Sequence, residues 1–402
     1  MIEKRNNHTM SGYVWEELID NIFKRLPPKS LLRFRCLSKS WCSRIGSPDF
    51  IRTHALRFDK NLQKVLVKHW TYDKRRGMEE FYTLHPEDRL PLSHRHGYTG
   101  IGKFPCNGCS IVGSCNGLLC LFHHEISTIA LWNPSIRHQL TLPPHPCMRN
   151  YSSHDSPRVA LGFGFDTVTN DYKIVRISYY TFKRVEPTSM VYTINTGTWR
   201  AIASPTTRLS NVHVQCSACF VNRALHWIVT EQDNKGHCYI MSFGLSSEVF
   251  GRVLLPEPSS EARELRIIKD SLAVITGECH NPRIWVMRED NNVASWSMFF
   301  KLEALPSEGG IHRVLLLTTN RDLVFLTYCE GYKVYNPATG MRSRLVKFNA
   351  RSYHLEVETY VESLVLLNKG TACNGNQPPW LRREKRKQKK RTSEFGVSSL
   401  CY

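Results

Sequence analysis

The feature of this sequence that most constrains its fold is a turn that recurs after short apolar runs. Leu-Trp-Asn-Pro-Ser at 131–135 resembles Val-Tyr-Asn-Pro-Ala at 334–338, and residues 192–200 form a looser copy. Asn-Pro places a turn directly after a strand, and Thr-Gly allows a positive φ angle. If Ser246 and Asp290 mark two weaker copies, the turns fall at residues 133, 195, 246, 290 and 336. Their mean spacing is about 51 residues, which is a repeat length typical of stacked or ring-forming units.

Between these turns the sequence predicts an all-β domain. Short runs rich in Val, Ile, Leu and Tyr alternate with Gly, Pro, Asn and Asp. Four strands in a repeat of this length make one blade of a β-propeller. The aromatic residue before each turn, Trp132, Tyr192 or Tyr335, is predicted to pack between neighbouring sheets. A β-sandwich with coincidental spacing is the alternative.

A single blade cannot cover both of its faces, so the repeats are predicted to close into a ring. Strand-like segments at 58–84 and 355–367 lie outside the clear repeats. We therefore expect these two segments to pair with each other and to bring the ring to about six blades.

The amino-terminal part of the chain has helical rather than strand periodicity. Pro27 and Pro28 end a first predicted helix, a second begins at Ser30, and a third ends at 46–48. The first helix is predicted from apolar residues at helical spacing, which are Leu18, Ile19, Ile22, Phe23 and Leu26. Three short helices result. They hold more apolar residues than one small interior can cover, and the surplus predicts a docking face for another polypeptide. Alternatively, these residues are the ordinary core of a larger domain.

The residues at 26–41 carry a specific resemblance. Leu-Pro at 26–27, Ser-Leu-Leu-Arg-Phe at 30–34 and Ser-Lys-Ser-Trp at 38–41 fall in register with the F-box of plant F-box proteins. F-boxes usually open with an earlier Leu-Pro, and Val14 and Trp15 stand in its place here. In that family the helices bind a Skp-type adaptor, which links them to a cullin scaffold in an SCF ubiquitin ligase. The resemblance, with the surplus apolar positions, implies adaptor contacts at Val14, Trp15, Leu18, Ile22, Leu26, Pro27, Leu31, Leu32 and Cys36.

The β region resembles the F-box-associated domain of the same proteins. Ser-Cys-Asn-Gly-Leu-Leu-Cys at 114–120 precedes the Asn-Pro turn, and Leu-Gly-Phe-Gly-Phe-Asp at 161–166 precedes Asp-Tyr-Lys-Ile-Val at 171–175. Residues 360–367 resemble the usual end of that domain. The resemblance covers most of 110–370 and implies a kelch-like domain that recruits a protein substrate.

The formal net charge of +19 is concentrated in part at the carboxyl end. Residues 382–391 hold eight basic residues and one glutamate, or +7, which leaves +12 for the rest of the chain. Such a run is predicted to be a disordered tail. A nuclear-import signal is the favoured interpretation, against a nonspecific polyanion contact or a solvated end. Its basic residues are Arg382, Arg383, Lys385, Arg386, Lys387, Lys389, Lys390 and Arg391.

Other features of the sequence bear on the cellular compartment in which the protein is expected. The polar residues 1–10 do not resemble a secretory signal, so the fourteen cysteines are expected to be reduced inside the cell. No apolar run approaches the roughly 18 residues that a membrane-spanning helix needs. The expected location is the nucleus, the cytoplasm or both.

Several cysteines have spacing that invites a chemical interpretation. Cys106 and Cys109, and Cys216 and Cys219, are CxxC pairs, but about 107 residues separate them, which is long for a structural zinc site. Cys115, His123 and His124 lie nearer the first pair. Gly-Ser-Cys-Asn-Gly at 113–117 has the form of a nucleophile elbow, but a strand is expected to follow it instead of a helix. Turn and packing roles are therefore favoured, with no metal and no cofactor.

Together these patterns predict separate α and β domains. The expected divisions are a disordered 1–12, an F-box helical domain at 13–56, a propeller-like domain at 57–370 and a disordered basic tail at 371–402. The predicted function is that of a non-catalytic substrate receptor that binds a Skp-type adaptor and an unknown protein. The alternative is a basic nucleic-acid-binding or nuclear interaction protein, and neither membrane nor nucleic acid is an expected partner of the receptor.

Overall fold

The computed structural model describes the helical region, most of the β region and none of the basic tail. The described residues are 10–57, 63–73, 77–86, 99–102, 108–124, 127–145, 157–212, 218–232, 237–257, 262–268, 270–278, 281–290, 293–301, 311–318, 322–327, 331–336, 339–340, 346–347 and 355–366. They contain four helices and twenty-five strands. The helices are α1 (Met10–Phe23), α2 (Pro28–Arg35), α3 (Lys39–Ile45) and α4 (Pro48–Arg57).

The fourth helix corrects the prediction of three. Pro48 was expected to end a helix, but it begins one. Ser47 makes this possible, because its Oγ accepts a hydrogen bond from the Phe50 amide at 3.2 Å and caps the helix. A proline at the first helical position loses nothing, since the amide there has no partner within the helix. The first helix also starts earlier than predicted, at Met10.

The described strands form six antiparallel sheets, which are the blades of a ring. Blade 1 contains β1 (Lys64–Asp73), β2 (Gly77–Pro86), β3 (Thr99–Gly102) and the last strand, β25 (Glu356–Tyr360). Blade 2 contains β4 (Cys109–Cys115), β5 (Leu118–His123), β6 (Thr128–Asn133) and β7 (His138–Thr141). Blade 3 contains β8 (Arg158–Asp166), β9 (Asp171–Tyr179), β10 (Thr188–Thr193) and β11 (Thr198–Ile202).

Blade 4 contains β12 (Leu209–Val212), β13 (Cys219–Val221), β14 (Ala224–Glu231), β15 (Cys238–Gly244) and β16 (Phe250–Val253). Its first position is shared, because β12 and β13 both pair with β14. Blade 5 contains β17 (Glu264–Ile268), β18 (Ser271–Thr276), β19 (Arg283–Asp290) and β20 (Val293–Lys301). Blade 6 contains β21 (Ile311–Leu317), β22 (Leu323–Thr327), β23 (Gly331–Tyr335) and β24 (Val346–Lys347).

The ring closes through a sheet that joins the two ends of the β region. β25 pairs with β1 in antiparallel register, from Lys64 opposite Tyr360 to Lys68 opposite Glu356. The first strands of the blades contact one another around the ring in the order β25, β4, β8, β13, β17 and β21, and β21 contacts β25. The predicted closing blade and six-bladed propeller are therefore confirmed, and the β-sandwich alternative is wrong.

The repeat found in the sequence marks equivalent points of five blades. Positions 133, 195, 246, 290 and 336 all lie at the turn between the third and fourth strands. The aromatic residues before these turns pack between sheets, as predicted. Trp132 of blade 2 meets the ring of Tyr82 in blade 1 edge-on at 5.1 Å, and Tyr335 of blade 6 lies 5.4 Å from Phe300 in blade 5. Tyr192 of blade 3 is buried in a cluster with side chains of blade 2.

The propeller has two ends that differ in their connections. In an antiparallel blade, the first and third turns lie at one end, and the second turn and the links between blades lie at the other. Blades 2 and 3 are aligned, because the side chain of Asn116, in the first turn of blade 2, is hydrogen-bonded to Tyr172, beside the first turn of blade 3. We name the end with these turns the helix end, since the helices pack there, and the opposite one the far end.

Candidate partner-binding face of the helical domain

The helices pack around one small aromatic and aliphatic core. Phe23, Leu31, Ile45 and Phe50 are buried in it. The Phe23 ring lies 5.4 Å from Phe34 and meets Trp41 edge-on at 5.3 Å. These geometries are favourable for aromatic pairs and hold α1 against α2 and α3.

Polar contacts fix the angles between the helices. Arg44 of α3 donates from Nη2 to Oδ2 of Asp20 in α1 at 2.7 Å. The imidazole Nε2 of His54 in α4 lies 2.9 Å from the carbonyl oxygen of Leu26, in the turn after α1. Burial lowers the pKa of His54, and the bond to the Leu26 carbonyl partly opposes that shift. The neutral imidazole therefore donates this bond, which ties the last helix to the first turn.

The propeller completes the helical core. Leu364, which follows β25, is fully buried in the same cluster as Phe23 and Leu31, and Ile136 of blade 2 packs against it. The segment that carries Leu364 is fixed to blade 2 by Asn133, which is itself fully buried. The Asn133 side-chain amide donates to the carbonyl oxygens of Ser363 at 3.0 Å and Val365 at 2.9 Å. The helices are thus mounted on the helix end of the ring by residues 361–366.

With one side of the helices covered by the propeller, other apolar side chains remain at the surface. Leu18 and Ile22 are 52% and 56% exposed, and Leu37, just after α2, is 68% exposed. Leu18 and Ile22 are four residues apart in α1, so they lie on the same face of that helix. Large apolar side chains grouped on a helix face are typical of a surface that another protein covers.

The residues predicted to contact an adaptor differ in their exposure. Leu18, Ile22, Pro27 and Cys36 are exposed, and Leu26 and Leu32 are half-buried. The side chains of Val14 and Trp15 lie outside the described residues. These assignments stay predictions.

Leu31 differs from the other predicted contacts and requires a correction. It is fully buried among Phe23, Ile45 and Leu364, so it supports the fold and is not available at the surface. Leu37 was not among the predicted contacts, although it is exposed. Helical spacing identifies an apolar stripe but does not show which of its members the rest of the chain covers.

The remaining sequence candidates give little further chemistry. Cys106, Cys216 and the basic residues 382–391 lie outside the described residues. Within the described part of the chain, no group of three or more His, Cys, Asp or Glu side chains is arranged to hold a metal ion. Cys115 is buried in a strand followed by the two-residue turn 116–117 and by β5, as the sequence predicted, and burial raises its pKa to about 12. No described helix combines the length and the apolar character that crossing a bilayer requires.

Comparison with known protein families identifies both domains. The model of the F-box domain matches residues 16–53, which span most of α1 to α4. The model of the F-box associated beta propeller domain matches residues 102–367, which is more than half of the chain.

The chain is also similar, along most of its length, to F-box proteins of a plant. An F-box/kelch-repeat protein of Arabidopsis thaliana is 26% identical over 361 residues, which cover 88% of this chain and 95% of the relative. A putative F-box protein of the same plant is 26% identical over 384 residues, covering 85% and 84%. The Arabidopsis F-box protein CPR1 is 23% identical over 386 residues, covering 89% and 90%. This chain belongs to the family of F-box proteins that carry an F-box-associated β-propeller domain.

Proposed function

We propose that this protein is the substrate-recognition subunit of an SCF-type E3 ubiquitin ligase. Its F-box docks on a Skp-type adaptor and through it on a cullin scaffold, and its propeller holds a protein to be ubiquitylated. The single observation that carries the proposal is the exposed pair Leu18 and Ile22 on an F-box whose opposite side is filled by the propeller.

The exposed pair has the chemistry of a docking site. Burying a large aliphatic side chain completely contributes about 1.5–3 kcal/mol to the free energy of binding. A partner that covers these two half-exposed side chains, together with Pro27 and Leu37, would therefore form a stable complex even after the cost of association. Three basic residues nearby are also exposed: Arg25, between α1 and α2, and Lys29 and Arg33, within α2. An adaptor surface with apolar grooves and acidic margins would complement both features.

The mounting of the helices is also suited to this role. Leu364 and Asn133 couple the F-box to the ring through a buried core and through the hydrogen bonds that the Asn133 side-chain amide donates to the carbonyl oxygens of residues 363 and 365. A receptor raises the local concentration of its substrate near the transferring enzyme, and a rigid joint limits the volume over which the substrate moves. In this proposal the covalent chemistry belongs to other subunits of the ligase.

Co-expression tests the proposal at the level of assembly. The full chain is produced with a Skp-type adaptor and a cullin, and the mixture is separated by size. We expect the three to elute together, and we expect the cullin to be lost when the adaptor is omitted. Elution of the chain apart from both proteins would contradict the proposal.

The basic tail supports a separate proposal about location. Residues 382–391 have the composition of an import signal, and we propose that they direct the protein to the nucleus in addition to the cytoplasm. A fluorescent fusion of the full chain is expected to enter the nucleus, and one with Lys385, Arg386 and Lys387 changed to alanine to remain outside. Equal nuclear signal from both would contradict it.

A further inference from the structure

The loop between the second and third strands of blade 3 exposes a large aromatic side chain. Phe182 is 91% exposed, and Val185 in the same loop is 48% exposed. All five residues from 182 to 186 are exposed. The loop is nevertheless anchored at both ends, because Tyr179 is 1% exposed and Pro187 is buried.

Hydrogen bonds hold the base of this loop against blade 4. The side-chain amide of Gln232 donates to the carbonyl oxygen of Thr181 at 3.3 Å. The backbone amide of Gln232 donates to the carbonyl oxygen of Arg208 at 2.9 Å. At the start of the loop, the Tyr179 hydroxyl accepts from the Val212 amide at 3.0 Å. The ring of Phe182 is thus presented to solvent from a fixed base.

The exposed loop combines apolar and basic side chains. Lys183 and Arg184 lie between Phe182 and Val185, and Glu186 is the one acidic residue among the five. The Lys183 ammonium lies 5.3 Å from the centre of the Tyr180 ring, where a cation–π contact limits its range of positions. Aromatic and arginine side chains placed together are the commonest energetic centres of protein interfaces.

The position of the loop places it away from the helices. β9 runs from Asp171, at the helix end, to Tyr179, which pairs with Arg158 at the far end. A nine-residue strand is about 26 Å long. A protein held at Phe182 would therefore not compete for space with an adaptor bound to α1.

We propose that the Phe182 loop, residues 182–186, is a contact site for the protein substrate, and that it selects segments combining acidic residues with large apolar residues. The inference rests on the proposed receptor function and specifies its substrate class. The apolar side chains of the partner pack on Phe182 and Val185, and its carboxylates pair with Lys183 and Arg184. Charge complementarity favours such a partner over a basic or uncharged one.

A displayed library of random twelve-residue peptides tests this directly with the full-length protein as target. We expect selected peptides to be enriched in Asp or Glu next to Leu, Ile, Phe or Trp. Phe182→Ser is expected to lower the affinity of the protein for a selected peptide about tenfold or more. The double variant Lys183→Glu, Arg184→Glu is expected to select basic peptides in place of acidic ones. Misfolding would abolish binding and could not produce this change of preference.

A matched control lies in the same blade. Val168, in the turn between β8 and β9 at the helix end, is 72% exposed, and Val168→Ser is expected to leave peptide affinity unchanged. Thermal unfolding of each variant checks that the fold is intact. Selection of basic or uncharged peptides, affinities insensitive to Phe182, or binding of the loop to RNA or to anionic vesicles in place of peptides would overturn the proposal.

The outcome is independent of adaptor binding. If the library result holds but no adaptor binds, the loop is a protein-binding site and the ligase function is wrong. If the adaptor binds and the selection does not depend on the loop, the ligase function stands and this inference falls.

Discussion

Leu364, which follows the last strand of the propeller, lies in the same buried cluster as Leu31 of the second helix, and both side chains are fully buried. The two residues are separated by most of the chain. The core of the F-box is therefore completed by the propeller, and the two domains share a stabilising contact in addition to their covalent link.

Removal of this contact is expected to loosen the helices. Leu364→Ala should lower the free energy of unfolding of the helical domain by about 2–5 kcal/mol, because it leaves a cavity in the core. Amide hydrogen exchange in α2 and α3 measures the effect directly. Leu37→Ala removes an exposed side chain of the same type and should change stability by less than about 0.5 kcal/mol. Unchanged protection of α2 and α3 in the Leu364 variant would contradict the shared core.

The first turn of blade 2, at residues 116–117, also packs against segment 361–366, and we expect it to be intolerant of a side chain at Gly117. Gly117 has φ +76°, and a Cβ there would lie 2.5 Å from the Val361 carbonyl oxygen and closer still to Ser363 Oγ. Gly197, in blade 3, has a similar φ of +69°, but its nearest neighbour would be 4.0 Å away. Gly197→Ala should therefore cost about 1–2 kcal/mol, for the left-handed backbone alone, and Gly117→Ala should cost clearly more. Equal midpoints in chemical denaturation would show that segment 361–366 does not pack as described.

A carboxylate in the closing strand gives the protein a pH dependence of unusual sign. Burial raises the pKa of Glu358 to about 7, and the nearby Arg266 and Arg313 only partly oppose the shift. The folded state therefore holds this proton over a pH range where the unfolded state, in which the carboxyl has its ordinary pKa of about 4.5, has lost it.

Stability from this group is therefore full below pH 4.5 and decreases as pH rises toward about 7. Glu358→Gln has no such proton, so relative to the wild type it should gain about 2–3 kcal/mol between pH 5 and 8. Chemical denaturation at several pH values measures the difference. Thr359→Ser, at the exposed neighbour in β25, is the control and should differ from the wild type by the same amount at each pH. A constant difference for Glu358→Gln would contradict the raised pKa of this carboxylate.

Much of the propeller could be predicted because its signals are local and repeated. The turn at Asn133 and its equivalents set the blade length, and Trp132 and Tyr192 pack between sheets because an aromatic residue before each turn must face a neighbouring blade. Closure by β1 and β25 followed from the need to cover the first and last blades. These features follow from strand periodicity and turn chemistry alone.

The predictions from the sequence were wrong where one residue type is found in two kinds of local structure, or where burial depends on contacts between residues distant in sequence. Pro48 can end or begin a helix, and the capping by Ser47 decides between them. Leu31 belongs to an apolar stripe, but only the placement of Leu364 shows that it is buried. The exposure of Phe182 was not predicted either, because the sequence does not show whether an apolar side chain in a loop is buried or exposed.

The central claim is that the exposed face of α1 binds the adaptor, and calorimetric titration of the full chain with a purified Skp-type adaptor tests it most directly. We predict a Kd below about 1 μM for the wild type and at least a hundredfold weakening for the double variant Leu18→Ser, Ile22→Ser. The control variant Leu254→Ser, Met298→Ser changes side chains that are 69% and 55% exposed on the propeller, and it should bind like the wild type. Absence of binding by the wild type, or equal affinity of the wild type and the Leu18, Ile22 variant, would contradict the account.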